Sequence, residues 1–223
     1  MKRSHLLIIG IASFFLFVVV TFLVLGNVTQ PSDAQLALLM NADQGSAITT
    51  LMSLASLYGR EYFWIPIVSV MLLLGKRDTK LLAIELAALF IVGIAAGEVL
   101  KYAVYRPRPY DTIGGIVTRI ATDTDSSFPS GHALIVSIGA VFALLKFKKR
   151  VVSLLLTVEA AVVCYSRVYV GMHYPLDVGA GILLGVAIVS LGLLVLESDR
   201  VRILKRLASL VKILRAGHFP EVL

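Results

Sequence analysis

Apolar runs of membrane-crossing length recur through this chain, and no other feature limits its architecture so tightly. Residues 6–25 carry no charge, and residues 81–100 are broken only by Glu85 and Glu98. Further runs cover 133–145, 151–165 and 178–196. A bilayer core of about 30 Å takes roughly 20 residues of apolar helix. The run 62–74 is short at 13 residues, so its span is expected to begin before Gly59, with Arg60 and Glu61 near an interface. The expectation is an all-α fold, a bundle of six transmembrane helices near 6–25, 57–74, 81–101, 132–146, 151–167 and 177–196. One domain is expected over 1–223.

Composition agrees. The chain is 58% hydrophobic and 16% charged, against about 45–50% and 25% in soluble domains. The first run follows Met-Lys-Arg, as a secretory signal would. It exceeds a signal core of about 7–15 residues and no small-x-small site follows, so a retained first helix is expected. The single cysteine, Cys164, lies in an apolar stretch. It excludes an intrachain disulfide and a cysteine-based zinc site, and reads as a small buried hydrophobe.

The net charge of +7 is explained by its distribution. With the N-terminus inside and six crossings, the inner segments hold fifteen of the 21 Lys and Arg residues, among them Lys76, Arg77, Lys146, Lys148 and Lys149. The outer segments hold six: Arg60, Lys101, Arg106, Arg108, Arg119 and Arg167. The positive-inside rule then predicts cytoplasmic termini in a plasma-membrane protein, with no need for a nucleic-acid partner. The stretch 198–215 reads as a basic amphipathic tail anchored on the inner leaflet.

Residues 31–58 are neither a clean span nor a polar loop. Ser32 or Asp33 is suited to cap a short helix carrying Leu36, Leu39 and Met40, and Ser46 another carrying Ile48, Leu51, Met52 and Ala55. Two readings fit: interfacial amphipathic helices, or a second span that begins early. Tyr58, Tyr62, Phe63 and Trp64 resemble an aromatic belt.

Three blocks carry chemistry: Lys101-x6-Arg108-Pro109, Pro129-Ser130-Gly131-His132, and Ser166-Arg167-x5-His173-x3-Asp177. His173 and Asp177 share a face if helical, and Pro175 between them, tolerated only in a first helical turn, places the pair where the outer loop enters the last span. A carboxylate beside an imidazole fixes its tautomer and activates it. Pro107 and Pro109 pin the backbone around Arg108, whose guanidinium suits phosphate oxygens. Arg167, at a span end, needs a polar cavity or partner. Lys101 has a plainer reading, snorkelling or pairing with Glu98. Arg106 and Arg119 read as surface. Ser130 is a natural N-cap and Gly131 permits close approach at a helix start, which attracts anions. His132 is placed to give a proton to a leaving oxygen. His5 and His218 fall on the inner side, and the cation cluster repels divalent ions, so no metal is expected. Glu85, Glu98 and Glu159 need partners inside the bundle, or line a proton or ion path; Glu159 lies on the Ser166 face.

These blocks, complete and correctly spaced, resemble the signature of the type-2 phosphatidic acid phosphatase superfamily. The resemblance implies that His173 attacks phosphorus and becomes a phosphohistidine, Asp177 orients and polarises it, and His132 protonates the leaving group and then assists water. Lys101, Arg108, Ser130, Gly131 and Arg167 would hold the phosphate oxygens; Ser166 belongs to the motif without a defined role. It implies no metal and no cofactor. Soluble vanadium-dependent haloperoxidases share the signature, and six spans argue against that branch. Membrane members act on phosphatidic acid, phosphatidylglycerophosphate, polyisoprenyl diphosphates, lipid A or glucose 6-phosphate. The expectation is a lipid phosphatase facing outside, with a polyisoprenyl diphosphate favoured over phosphatidic acid or phosphatidylglycerophosphate. A lipid phosphotransferase and an anion transporter are the other readings.

Overall fold

The structure, a computed structural model, describes residues 2–42 and 44–215, with side chains described as far as residue 196. Nine helices and no strand occur among the described residues. They are α1 (Arg3–Leu25), α2 (Gln30–Asn41), α3 (Ser46–Tyr58), α4 (Glu61–Leu74), α5 (Arg77–Ala103), α6 (Pro109–Thr112), α7 (Gly131–Lys146), α8 (Arg150–Tyr169) and α9 (Pro175–Arg215).

Four helices are long and apolar enough to cross a membrane: α1, α5, α8 and the Pro175–Leu196 part of α9. A fifth crossing exists if α3 and α4 are taken as one span bent by 53°. The expected single span at 57–74 is therefore broken at Gly59 and Arg60. At this break α8 passes close by: a Cβ on Gly59 would lie 2.2 Å from Val163. The apolar helix α7 is shorter than the others at 16 residues. Side chains of the 198–215 tail, and His218, lie outside the described residues.

α7 is the hub. Residues 133–140 are all buried, as expected for a helix that is apolar on every side, and it packs on α5, α8 and α9. Two glycines bring α9 against it: a Cβ at Gly181 would sit 2.6 Å from the Ser130 carbonyl, and one at Gly185 would sit 2.9 Å from that of Leu134. This small-x3-small stripe lets the two backbones approach. It sets the start of α9 beside the start of α7. On the other side Trp64, 2% exposed, packs against Gly139, where a Cβ would come 2.2 Å from its ring. Trp64 is thus a core residue rather than part of an interfacial belt, and it fixes Arg60 one turn before it.

α2 has one outward and one buried face and is no part of the α3–α4 pair. Leu36 and Leu39 point outward, while Asp33, Ala37 and Asn41 are buried against the protein. α1 lies along α9 and exposes Ile8, Phe15 and Phe22 outward.

Candidate active site

All three motif blocks meet at one end of the bundle, around a cavity of about 480 Å³. Its wall includes Lys101, Arg108, Gly131, His132, Arg167 and His173.

Arg108 is anchored between Pro107 and Pro109 and is 2% exposed. Its Nη1 donates to the Met172 carbonyl at 3.0 Å and its Nε to that of Asp125 at 3.1 Å. Arg167, in the last turn of α8, donates from Nη1 to Ser56 Oγ at 2.5 Å. Its Nε is buried without a protein partner, a donor suited to an anion's oxygen. Lys101 closes α5 and pairs with Asp125, not with Glu98. Asp125 also binds Arg108, and Asp123 lies 3.2 Å from Arg108 and 3.9 Å from Arg167. Burial alone would raise the Asp125 carboxyl, but Lys101 and Arg108 hold it down at about 2. Two loop carboxylates thus sit on the three cations predicted to hold phosphate.

Ser130 caps α7, its Oγ accepting from Ala133 N at 3.5 Å, and its own N–H donates to the Asp177 carbonyl at 3.0 Å. The motif serine of the third block, Ser166, is fully buried and donates to the Val163 carbonyl at 2.7 Å.

His173 differs in one respect from expectation. Its Nδ1 is 2.8 Å from the Ser127 carbonyl and 3.7 Å from Asp177 Oδ2. A carbonyl only accepts, so Nδ1 carries the proton and the ring's other nitrogen holds the lone pair. The tautomer is set by a backbone oxygen, with the carboxylate behind it. Burial, then Arg167 and Arg108, push the imidazole well below its ordinary value, against the pull of the Ser127 carbonyl. The ring is neutral, the form a nucleophile needs.

The residue that sequence reasoning missed is Arg106. Its sequence context places it at the surface, yet it is 6% exposed and lies between two buried carboxylates. Nη1 donates to Asp177 Oδ1 at 2.6 Å, and Nη2 to Asp33 Oδ2 at 2.7 Å and Gln30 Oε1 at 2.9 Å. Its guanidinium stacks 3.8 Å over the Tyr174 ring. Asp33 also accepts from Leu176 N at 3.0 Å, in the first turn of α9. Burial would lower the Arg106 pKa; Asp177 and Asp33 outweigh that and raise it. The doubled Arg-Pro of Arg106-Pro107-Arg108-Pro109 was the available signal, since both arginines share the same pinned backbone. Arg119, also read as surface, bonds the carbonyls of Tyr169 at 2.8 Å and Asn41 at 2.7 Å, tying α2 to α8.

Of the internal acids, Glu85 lies 3.5 Å from Lys146. Glu98 lines the cavity. Both Glu159 oxygens are buried without a hydrogen-bond partner, and Glu159 is absent from the cavity wall among the described residues.

A cation-walled cavity holding a neutral imidazole, at one end of a bundle of apolar helices, defines a membrane phosphatase. The PAP2 superfamily profile matches residues 81–199, and the chain belongs to that superfamily. It is 46% identical over 153 residues to an undecaprenyl-diphosphatase of Sulfolobus acidocaldarius, covering 69% of this chain and 73% of that protein. In fold it is similar to a transmembrane PAP2-type phosphatidylglycerolphosphate phosphatase from Bacillus subtilis, with a TM-score of 0.70 at 22% identity, over 85% of this chain and 96% of that one. LpxE of Aquifex aeolicus is also similar, with a TM-score of 0.64 at 23% identity, over 71% and 93% of the two chains.

Proposed function

We propose that the protein hydrolyses the terminal phosphate of a polyisoprenyl diphosphate at the membrane surface. The carrying observation is the continuity of the cation-walled cavity with an apolar groove. That groove, about 310 Å³, runs between α4, α5 and α7 along Ile65, Val68, Phe90, Ile94 and Leu134. The two spaces share Arg60, Glu98, Lys101 and Gly131. A phosphate in the cavity therefore has a path for its hydrocarbon tail toward lipid. The likeness to the Sulfolobus undecaprenyl-diphosphatase supports the isoprenyl tail.

In this mechanism Nε2 of His173 attacks the terminal phosphorus. The bond from that phosphorus to the bridging oxygen breaks, and His132 delivers a proton to the departing lipid monophosphate. Water then attacks the phosphohistidine, His132 takes its proton, and inorganic phosphate leaves. Lys101, Arg108 and Arg167 neutralise the equatorial oxygens, with the Ser130 hydroxyl and the Gly131 N–H donating to them. Asp177 stabilises the charge that develops on His173. Cations do the work that metal ions do elsewhere, so the route is metal-independent.

Six crossings follow if α3 and α4 form one broken span and α7 a short one, alongside α1, α5, α8 and α9. Lys76, Lys146, Lys148 and Lys149 gather around one cavity, formed by the ends of α4 and α7 and the starts of α5 and α8. The motif blocks lie at the opposite ends of these helices. By the positive-inside rule the lysine end faces the cytoplasm, with the site outside.

The test is phosphate release in detergent with EDTA present, comparing a polyisoprenyl diphosphate, phosphatidic acid and phosphatidylglycerophosphate. Preference for the first is expected, and His173→Ala should abolish turnover while the protein stays folded. Preference for a glycerolipid would replace the substrate assignment, and loss of activity in EDTA would overturn the metal-independent route.

A further inference from the structure

Arg60 lies outside the three motif blocks, yet it lines both the cation-walled cavity and the apolar groove. It occupies the break between α3 and α4, and Trp64 wedged over Gly139 holds that break in place. Its Nη1 comes within 3.2 Å of where a Cβ on Gly131 would lie, at the start of α7. Its side chain is 31% exposed and pairs with its neighbour Glu61. Glu98 faces the same neck. The neck between cavity and groove therefore holds one guanidinium, two carboxylates and the Lys101 end of the motif set.

A lipid diphosphate must place two phosphates in sequence here. The terminal one belongs over Arg108 and Arg167, beside His173. The hydrocarbon belongs in the groove. The inner phosphate, bonded to the lipid oxygen, then falls in the neck. An anion there, flanked by Glu61 and Glu98, needs a cation of its own.

We propose that Arg60 is the binding residue for this lipid-proximal phosphate, making the site selective for diphosphates over monophosphates. The proposal rests on the reading of the cavity as a lipid diphosphate site. On binding, the phosphate displaces Glu61 from the guanidinium, a planar fork suited to two oxygens at once. A monophosphate of the same lipid has its only phosphate over the motif cations and leaves Arg60 on Glu61.

The experiment compares farnesyl diphosphate with farnesyl monophosphate, which share one tail, on the wild type, Arg60→Gln, Arg60→Lys and Glu61→Gln. Arg60→Gln should lower kcat/KM for the diphosphate about tenfold or more, chiefly through KM, as loss of a charge-assisted contact does, and change the monophosphate value far less. Arg60→Lys should recover part of the loss. Glu61→Gln, which frees the guanidinium, should lower KM for the diphosphate. Thermal unfolding of each variant separates misfolding from altered selectivity. Equal losses on both substrates, or none on the diphosphate, would overturn the role of Arg60, and so would a rise in diphosphate KM with Glu61→Gln. A wild type that hydrolyses neither substrate, yet turns over phosphatidic acid, would overturn the isoprenyl diphosphate reading instead.

Discussion

Arg106 holds Asp177 from behind: its Nη1 donates to Oδ1 at 2.6 Å, leaving Oδ2 to accept from Tyr174 N at 2.9 Å and to face His173. The same guanidinium reaches Asp33 on α2, so the helix entering from the first loop buttresses the motif carboxylate. Removing Arg106 leaves two buried carboxylates facing each other without a cation. Arg106→Ala should cost about 3–5 kcal/mol of stability and abolish turnover. Arg106→Lys should retain part of the stability. Asp33→Asn should lower kcat with little change in KM, since Asp33 is remote from the phosphate. Thermal unfolding in detergent with steady-state kinetics checks all three.

Asp125 occupies the two cations proposed to hold the substrate's phosphate. It bridges Lys101 and Arg108, and its carboxyl stays ionised down to about pH 2. No working pH loosens it; only another anion does. Asp125→Asn should therefore strengthen competitive inhibition by vanadate and by inorganic phosphate, about two- to fivefold for ion pairs whose carboxylate is half-exposed. The inhibition constants measure it. Weaker inhibition would mean that Asp125 builds the site rather than occupying it.

On the proposed mechanism the depressed basicity of His173 governs the acid limb of the pH profile. A nucleophilic imidazole acts in its neutral form, so kcat/KM should stay level well below the ordinary histidine value of about 6.5 before it falls. Arg167 and Arg108 contribute to the depression after burial. Arg167→Met should thus move the limb upward, toward 6.5, as well as slowing the reaction. The same shift makes the fold lose stability as pH drops below about 6.5, because the unfolded chain takes up a proton that the folded one refuses.

Gly139 is a packing requirement with a functional reach. Gly139→Ala places a methyl 2.2 Å from the Trp64 ring, which must move. A loss of about 1–3 kcal/mol is expected from overpacking. Because Trp64 seats the start of α4, KM for a diphosphate should also rise. Unfolding and kinetics on one preparation test both effects.

The site was legible in the sequence wherever residue type and spacing carried the chemistry. His173 and Arg108 line the cavity, Asp177 lies 3.7 Å behind His173, and Ser130 caps the helix whose Gly131 and His132 enter the wall. Partners distant in sequence were not legible. Asp33 is 73 positions from Arg106, and nothing local distinguishes it from a capping residue. Ser127, which sets the His173 tautomer, acts through a backbone carbonyl that any residue supplies. The all-helical character followed from the apolar runs. The bend at Gly59 did not, because the close approach of Val163 on α8 that requires a glycine there is a contact between elements distant in sequence. Arg106 escaped because burial is a property of the packed bundle, and its Arg-Pro neighbour offered a sufficient use for the motif.

The hydrogen bond from Nδ1 of His173 to the Ser127 carbonyl has a regiochemical consequence. A nitrogen that donates its proton to a carbonyl has no lone pair to offer phosphorus. Any covalent intermediate on His173 is therefore the 3-phospho isomer, linked through Nε2, and the 1-phospho isomer is excluded by the backbone. An acid-labile, alkali-stable adduct recognised by isomer-specific antibodies would carry that signature of the Ser127 backbone in its chemistry.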